Sequence, residues 1–494
     1  MANLKSNILT VTEPSVSWLD KLTITDRESE EVESSIKISK FIGMMIPYVV
    51  INGMEISMNM LVSMELNSTG FLPTIRLKLN DPTNLFTGRH FPKDGDVISV
   101  EIRANNEEVF KPIRIDFDIL QVDPIFSTSA NVSSSYVLTG QMKIPNLLSE
   151  ECKSYNSMNS YDTLLEVSQE LGIGFASNED GAMQDLMNWI NPFDTKMKFI
   201  KDIVSNSYKD DKSFYSACID QYYLLNFVNM NLLFTTEEDI EESEIYLLNF
   251  GDMNKNSDED TGQGKAPLML TNLLQWNGTS NYVSKYRMIN NSGTVFLTNG
   301  YKRYAQWFDI NDNGKNGQFI NEYVDPLTTE GTDDKIHLKG RYVGPSDNRQ
   351  PEGIKDTHIK HKWLGKQHAV DIGNMHDNFL FSNILNFQNN QEIFKMGMII
   401  DLDMVNTTLY RYQRIPVFIW DYGLIEKRVH ELGEEENGSS EELEENEKDN
   451  TMRPKLNKFL SGFYVIVGID YIFTYPGPIR QRLVLIKREF DSVG

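Results

Sequence analysis

The sequence predicts a mainly β chain of the α+β class. Two similar antiparallel β-barrels flank a small α/β domain, and polar loop insertions separate the parts. Three observations predict this. Apolar and polar residues alternate at period two over residues 41–145 and again over 380–494. Between them, over 146–236, the apolar spacing turns helical. The remaining stretches are acidic or rich in Gly, Asn, Asp and Lys, with no apolar period.

Residues 1–40 form a polar N-terminal arm. The stretch Asp26–Glu33 is charged and carries no apolar stripe. In the first β region, Val49, Val50 and Ile51 run into Asn52-Gly53, a pair suited to a type I′ hairpin, and Met54-Glu55-Ile56 returns. Ile75, Leu77 and Leu79 alternate with Arg76 and Lys78. Ile98, Val100 and Ile102 alternate with Ser99 and Glu101. Ile113, Ile115, Phe117 and Ile119 alternate with Arg114, Asp116 and Asp118. Asn80-Asp81-Pro82 and Lys93–Asp96 supply turns. Short strands with one apolar face make a small barrel or sandwich.

In the α/β region, Leu164, Val167, Ser168 and Leu171 share a helix face. Thr163 and Glu166 have capping-box spacing, and Gly172 is placed for a left-handed stop. A second helix follows Asp194-Thr195, with Met197, Ile200 and Val204 on one face. Ser213–Ile219 and Leu224–Val228 read as a strand hairpin. Residues 237–379 read as insertions and connecting β or loop structure. Residues 309–376 hold long loops.

The second β region has its own alternations. Met398, Ile400, Leu402 and Met404 alternate with acids, Val417 and Ile419 follow Pro416, and Phe463 to Phe473 alternates without a break. Pro476-Gly477-Pro478 turns the chain into a last strand carrying Leu483 and Leu485. An acidic loop, 431–454, interrupts this region. Its centre, 434–449, carries nine acids and one lysine and reads as solvated. The two β regions share strand order and length, a weak internal repeat.

Composition bounds the function. The chain has 494 residues, which suggests about three or four domains. The longest apolar run, Phe41–Ile51, spans eleven residues and contains Pro47. A membrane helix needs roughly 20, so no transmembrane helix is expected. The N-terminus lacks the apolar core and small-residue cleavage site of a secretory signal. Two cysteines, Cys152 and Cys218, make neither a disulfide framework nor a zinc pair and read as free thiols. A net charge of −24 disfavours wrapping of nucleic acid and docking on anionic lipid. It suits a wall that DNA passes without sticking.

Chemical motifs are sparse. Asp309, Asn311, Asn313 and Gly314 copy the first half of a calcium loop. Its bidentate position is Ile320, with Glu322 two residues late, and an Asn/Asp/Gly turn gives the same letters. No metal site is therefore expected. His358, His361, His368 and His376 lie among Lys355, Lys360, Lys362 and Lys366, which oppose a cation; a solvated basic loop is expected. No GxSxG, HExxH or GxxxxGK[ST] occurs. The chain reads as a non-enzyme without cofactors.

The order of parts then resembles a family. The helices in DTLLEVSQELGI and WINPFDTKMKFIKDIVSNS, the strand pair SFYSACIDQYYLLNFVNMNLLF and the ending SGFYVIVGIDYIFTYPGPIRQRLVLIKREF are similar to the baseplate central hub protein of contractile-tailed phages. Its relatives include late-control proteins and the hub part of type VI secretion spikes. The resemblance covers about two thirds of the chain and rests on architecture. It implies a homotrimer whose six tube-like barrels match a sixfold tail tube to a threefold central spike around a DNA channel. It also implies contacts with neighbouring baseplate proteins, no membrane insertion, and a place in the virion tail after assembly in the host cytoplasm. It carries over no functional residue. A type VI hub shares these features, and a particle-borne glycan hydrolase or a receptor-binding β protein are the other readings. On the hub reading, the hairpin at Asn52-Gly53 is the expected tube-forming interface, through Val49, Ile51, Ile56, Met58 and Met60. Burial of that hairpin inside its own barrel is the competing expectation.

Overall fold

A computed structural model of the chain describes residues 10–12, 46–82, 86, 91–93, 95–102, 112–126, 134–235, 269–270, 283–291, 302–309, 318–324, 357–364, 375–394, 396–402, 405–407, 409–421, 455–457 and 459–487. The first strands are β1 (Thr10–Thr12), β2 (Tyr48–Ile51), β3 (Met54–Glu55), β4 (Leu61–Asn67), β5 (Thr74–Asp81), β6 (Val97–Ile102), β7 (Ile113–Phe126) and β8 (Ser134–Met142). Period two explains them. Along β5 and β8 every second side chain is buried, and the intervening ones reach towards solvent. The β2–β3 turn has Asn52 at φ 49° and Gly53 at φ 82°, the two left-handed positions that a type I′ turn requires.

Next come β9 (Glu150–Met158), α1 (Ser160–Leu171), β10 (Gly174–Ser177), β11 (Met187–Thr195), α2 (Lys196–Asn206), β12 (Tyr215–Ile219), β13 (Leu224–Asn229) and a short α3 (Met230–Thr235). The expected helices form, and Gly172 ends α1 at φ 72°. The capping box does not. Asn159 is the N-cap and accepts from the Asp162 N–H, while Thr163 turns its hydroxyl back to the Asn159 carbonyl. Thr195 caps α2 as its position before the apolar run suggests. The α/β sheet runs β1-β10-β13-β12, so part of the N-terminal arm adds a strand antiparallel to β10.

The remaining elements are β14 (Met269–Leu270), β15 (Val283–Asn290), β16 (Lys302–Asp309), β17 (Gln318–Val324), β18 (Thr357–Leu364), α4 (Phe379–Ile393), β19 (Met396–Leu402), β20 (Arg414–Phe418), β21 (Trp420–Asp421), β22 (Lys455–Leu456), β23 (Gly462–Thr474) and β24 (Arg480–Ile486). Two expectations change here. Residues 309–376 are not all loop, because β16, β17 and β18 form a three-stranded sheet. The segment after Leu380 opens with a helix, α4, before period two resumes in β19.

The chain is mainly β, with one large sheet at its centre. Its order is β15-β19-β24-β23-β4-β5-β8-β7-β6-β2-β3, and β20 also pairs with β23. The two β regions meet at β4 and β23, antiparallel from Asp470 opposite Asn67 to Thr474 opposite Ser63. The two expected barrels thus share one ladder, which runs from β15 to β3 and does not close among the described residues. The alternation in β23 is also broken. A register shift between Ile466 and Gly468 switches its phase, so Ile466, Ile469, Tyr471 and Phe473 enter the main core and Val465 and Val467 a second cluster. Cross-strand ion pairs reinforce the ladder, Arg114 with Glu101 at 3.0 Å and Arg482 with Asp401 at 2.7 Å. The main core is one cluster reaching from Leu77 through Leu164 to Leu483.

Candidate docking groove and sheet edges

Helix α4 organises the surface where the α/β unit meets the second β region. The last carbonyls of any helix lack intrahelical donors. Here the buried Asn386 of α4 supplies them, its Nδ2 donating to the carbonyls of Val204, Ser205 and Ser207 at 3.3, 3.1 and 2.9 Å. Its Oδ1 accepts the Tyr215 N–H at 2.9 Å. Asn390 Nδ2 donates to the Tyr215 carbonyl at 2.7 Å. Ser382 Oγ donates to the Asn206 carbonyl, which His376 Nε2 also meets at 3.1 Å. Sequence reading passed over this set. Asn383, Asn386 and Asn390 at i, i+3 and i+7 are the signal that marks the helix face.

This clamp holds only part of an exposed strand edge. β12 is the last strand of its sheet and pairs with β13 alone among the described residues. Antiparallel pairing turns Tyr215, Ala217 and Ile219 away from β13. Asn386 and Asn390 take both Tyr215 groups, and the Ile219 N–H donates to the Phe71 carbonyl at 2.8 Å. Ala217 between them has no hydrogen-bond partner on that side among the described residues.

A two-lobed groove borders this edge. One lobe, about 540 Å³, lies between α2, β12 and α4, with Phe387 and Phe394 on its wall. The other, about 400 Å³, reaches Thr69, Arg411 and Val484. Phe71, Lys201, Ala217 and Phe394 line both. Lys201 Nζ stands 5.0 Å over the Phe71 ring. Arg411 is buried and donates to the Gly70 carbonyl at 2.5 Å, while its Nε has no acceptor among the described residues.

The large sheet has exposed edges too. β7 outruns β6, whose pairing ends with Val97 opposite Asp118. Beyond that point Leu120, Ile125 and Phe126 are more than half exposed, at 61%, 56% and 59%. Asp123 and Pro124 interrupt this edge. At the far end, β15 is largely exposed, with Tyr286 open to solvent. On the β9–β11 ribbon, Ile190 and Phe193 are exposed, and Phe193 has φ 60° where the register shifts between Pro192 and Asp194.

The residues singled out from sequence fall as follows. Val49, Ile51, Ile56 and Met60 are buried in the main core, and Met58 is half-buried. Asp309 ends β16, and Asn311 and Asn313 lie outside the described residues. His358 and His361 sit on β18 rather than a loop, and His368 lies outside the described residues. His376 is not a solvated loop residue. It is buried against Tyr208, Trp189 and Phe379, and burial pushes its pKa down to about 4. Among the described residues no group of three or more His, Cys, Asp or Glu could hold a metal ion. Cys218 is buried, which raises its thiol to about 11, and Cys152 is exposed.

The half-buried Glu170 and the buried Glu179 and Asp220 are each held by hydrogen bonds within the fold. Glu170 binds Lys153 and Lys196, and these ammonium groups hold its carboxyl below the usual range although burial raises it. Glu179 accepts from Lys209 at 2.6 Å and from Asn229 Nδ2 at 2.6 Å. Asp220 takes the N–H groups of Tyr222 and Leu224, closing the β12–β13 turn.

No protein-family model matches the sequence. No curated protein sequence matches it. Solved structures do. The 43 kDa tail protein of prophage MuSo2 from Shewanella oneidensis matches with a TM-score of 0.46 at 9% identity, covering 90% of this chain and 99% of that one. The tail protein from Neisseria meningitidis MC58 has a TM-score of 0.43 at 8% identity, covering 89% and 96%. The E. coli c3393 protein, a component of the type VI secretion system, has a TM-score of 0.36 at 6% identity, covering 89% and 76%. The matching structures thus include two tail proteins and a component of the type VI secretion system.

Proposed function

We propose that this chain is a structural hub of a contractile tail, a homotrimer that joins a sixfold tail tube to a threefold central spike. The observation that carries the reading is the β4–β23 ladder. It sets a β region from each end of the chain side by side, so one copy brings two β modules as one piece. Three copies then offer six modules. A closed interface needs matched patches, and six similar modules meet a sixfold ring while the trimer axis meets the spike. The resemblance read in the helices and the C-terminal hairpin supports the same role.

On this reading each β region completes a tube-like barrel against its neighbours. The edge at Leu120–Phe126, unpaired on its β6 side among the described residues, and the exposed strand β15 supply pairing surfaces, since a ring of strands leaves no edge open. The net charge of −24 keeps passing DNA from sticking to the channel. The partners are the tube protein, the spike protein and neighbouring baseplate proteins. The role needs no cofactor and no turnover. The test is electron microscopy of the chain mixed with its tail tube protein. Threefold particles carrying a sixfold tube segment are expected. Particles without threefold symmetry, or a tube that ignores the chain, contradict the reading. Incubation with peptidoglycan is expected to release no soluble sugar.

A further inference from the structure

We propose that the groove between β12, α2 and α4 binds an extended, acid-bearing segment of a partner protein. The segment adds one backbone rung at Ala217 and sets a carboxylate beside Lys201 and Arg411. This inference stands apart from the hub reading.

Three features of one place carry it. The first is the strand edge. Tyr215 and Ile219 are already bonded on their outer side, and the Ala217 N–H and C=O between them are open among the described residues. An extended peptide laid along an edge strand satisfies such a pair with its own backbone. The second is charge. The chain holds 71 acids against 47 Lys and Arg, yet no Asp or Glu lines either lobe, while Lys201 and Arg411 do. Neither cation has an ion-pair partner among the described residues, and Arg411 is 4% exposed with Nε unsatisfied. Asp220 is the charge that faces Arg411 and forms no ion pair with it, so an arriving carboxylate supplies the acceptor that Arg411 Nε lacks and a partner for Lys201. The third is the wall. Phe387 and Phe394 are 38% and 43% exposed at the groove mouth, where they can cover the apolar side chains of an extended segment. The lobes, about 540 and 400 Å³, are of the size that holds ligands.

Charge complementarity selects the occupant. A basic segment meets Lys201 and Arg411 and is repelled. A purely apolar one leaves Lys201 without an ion pair and Arg411 Nε without an acceptor. A second copy of this chain through the same groove is the competing occupant, and the experiment separates it.

The test uses the full chain and fluorescein-labelled hexapeptides TVTEVT, TVTQVT and TVTKVT, followed by fluorescence anisotropy. The acidic peptide is expected to bind at least tenfold more tightly than the lysine peptide, with the glutamine peptide between. Lys201→Glu is expected to weaken the acidic peptide about tenfold and to reverse the preference. Lys201 is exposed and pairs with no carboxylate among the described residues, so the variant keeps its fold, checked by circular dichroism. Phe394→Ser, at an exposed position, is expected to weaken all three peptides. In the wild type the acidic peptide is expected to slow amide exchange across 215–219. Equal binding of the three peptides, no binding at millimolar peptide, or binding without protection at 215–219 would overturn the proposal. So would self-association of the chain that Lys201→Glu abolishes, which would give the groove to a second copy.

Discussion

Replacing Asn386 with alanine isolates what α4 does for the α/β unit. The side chain is 2% exposed and serves four backbone groups: the Tyr215 N–H and the carbonyls of Val204, Ser205 and Ser207. Its two amide hydrogens cannot serve three carbonyls fully, so two good bonds and one weak one are a fair count. Alanine leaves the Tyr215 N–H without an acceptor at a buried position, which costs about 1–3 kcal/mol. The α2 carbonyls lose their donors at about 0.5–1.5 kcal/mol each before water returns from the groove. A total of about 2–4 kcal/mol is expected, most of it local to α2 and β12. Asn383→Ala is the control. Among the described residues the Asn383 side chain meets only Asn206 Oδ1, at 3.3 Å and half-buried, and its loss should cost under about 0.5 kcal/mol. The assay is amide hydrogen exchange read at Tyr215, with thermal unfolding alongside. Asn386→Ala should speed Tyr215 exchange at least tenfold, since about 1.4 kcal/mol is a factor of ten, and Asn383→Ala should leave it alone. Equal behaviour of the two variants would refute the clamp.

Burial pushes Asp470, beside the β4–β23 ladder, up to about 6 from 3.8, with Arg482 pulling it back. The folded chain therefore holds that proton more tightly than the unfolded one, and the stability it contributes is lost as pH rises through about 6. Asp470→Asn should gain about 1–2 kcal/mol on the wild type between pH 4 and 7.5 in urea unfolding; a constant difference contradicts this. His376 has the opposite sign. Its pKa falls from 6.5 to about 4 by burial, so its contribution is full above 6.5 and lost as pH drops towards 4. His376→Gln should flatten the acid limb of the stability profile between pH 6.5 and 4.5, and an unchanged limb would exclude His376 as its source. Gly468 sits at the β23 register shift, where an added Cβ would collide with Thr69 Cγ2 and lie 3.2 Å from Thr69 Cβ. Gly468→Ala should destabilise by about 1–3 kcal/mol; a melting temperature within a degree of wild type would show that the Thr69 loop yields freely.

Sequence reading reached the strands whose alternation is strict, such as β5 and β19, and the Asn52-Gly53 turn, because one buried face dictates both. It reached α1 and α2, whose apolar stripes are clean. It placed the start of α1 too late because Thr163 and Glu166 copy a capping box while Asn159 does the capping. α4 was hidden for another reason. Its apolar residues bracket asparagines that bond to α2 and β12, so burial there follows hydrogen bonding rather than hydrophobicity. The phase change in β23 depends on a bulge beside Gly468, which no alternation of letters reports. Apolar character at Val49 and Ile51 could not separate a core hairpin from an interface, and the folded chain buries both side chains in the main core. The docking groove was illegible, since Arg411, Lys201 and Ala217 come from distant parts of the chain.

The mass of the purified full-length chain in solution tests the central claim most directly. Light scattering across a concentration series is expected to give about three times 56.8 kDa, stable on dilution, because the free edges of the β modules pair between copies. A monomer of 56.8 kDa that persists at high concentration, with the tail tube and spike proteins absent, would contradict the hub account.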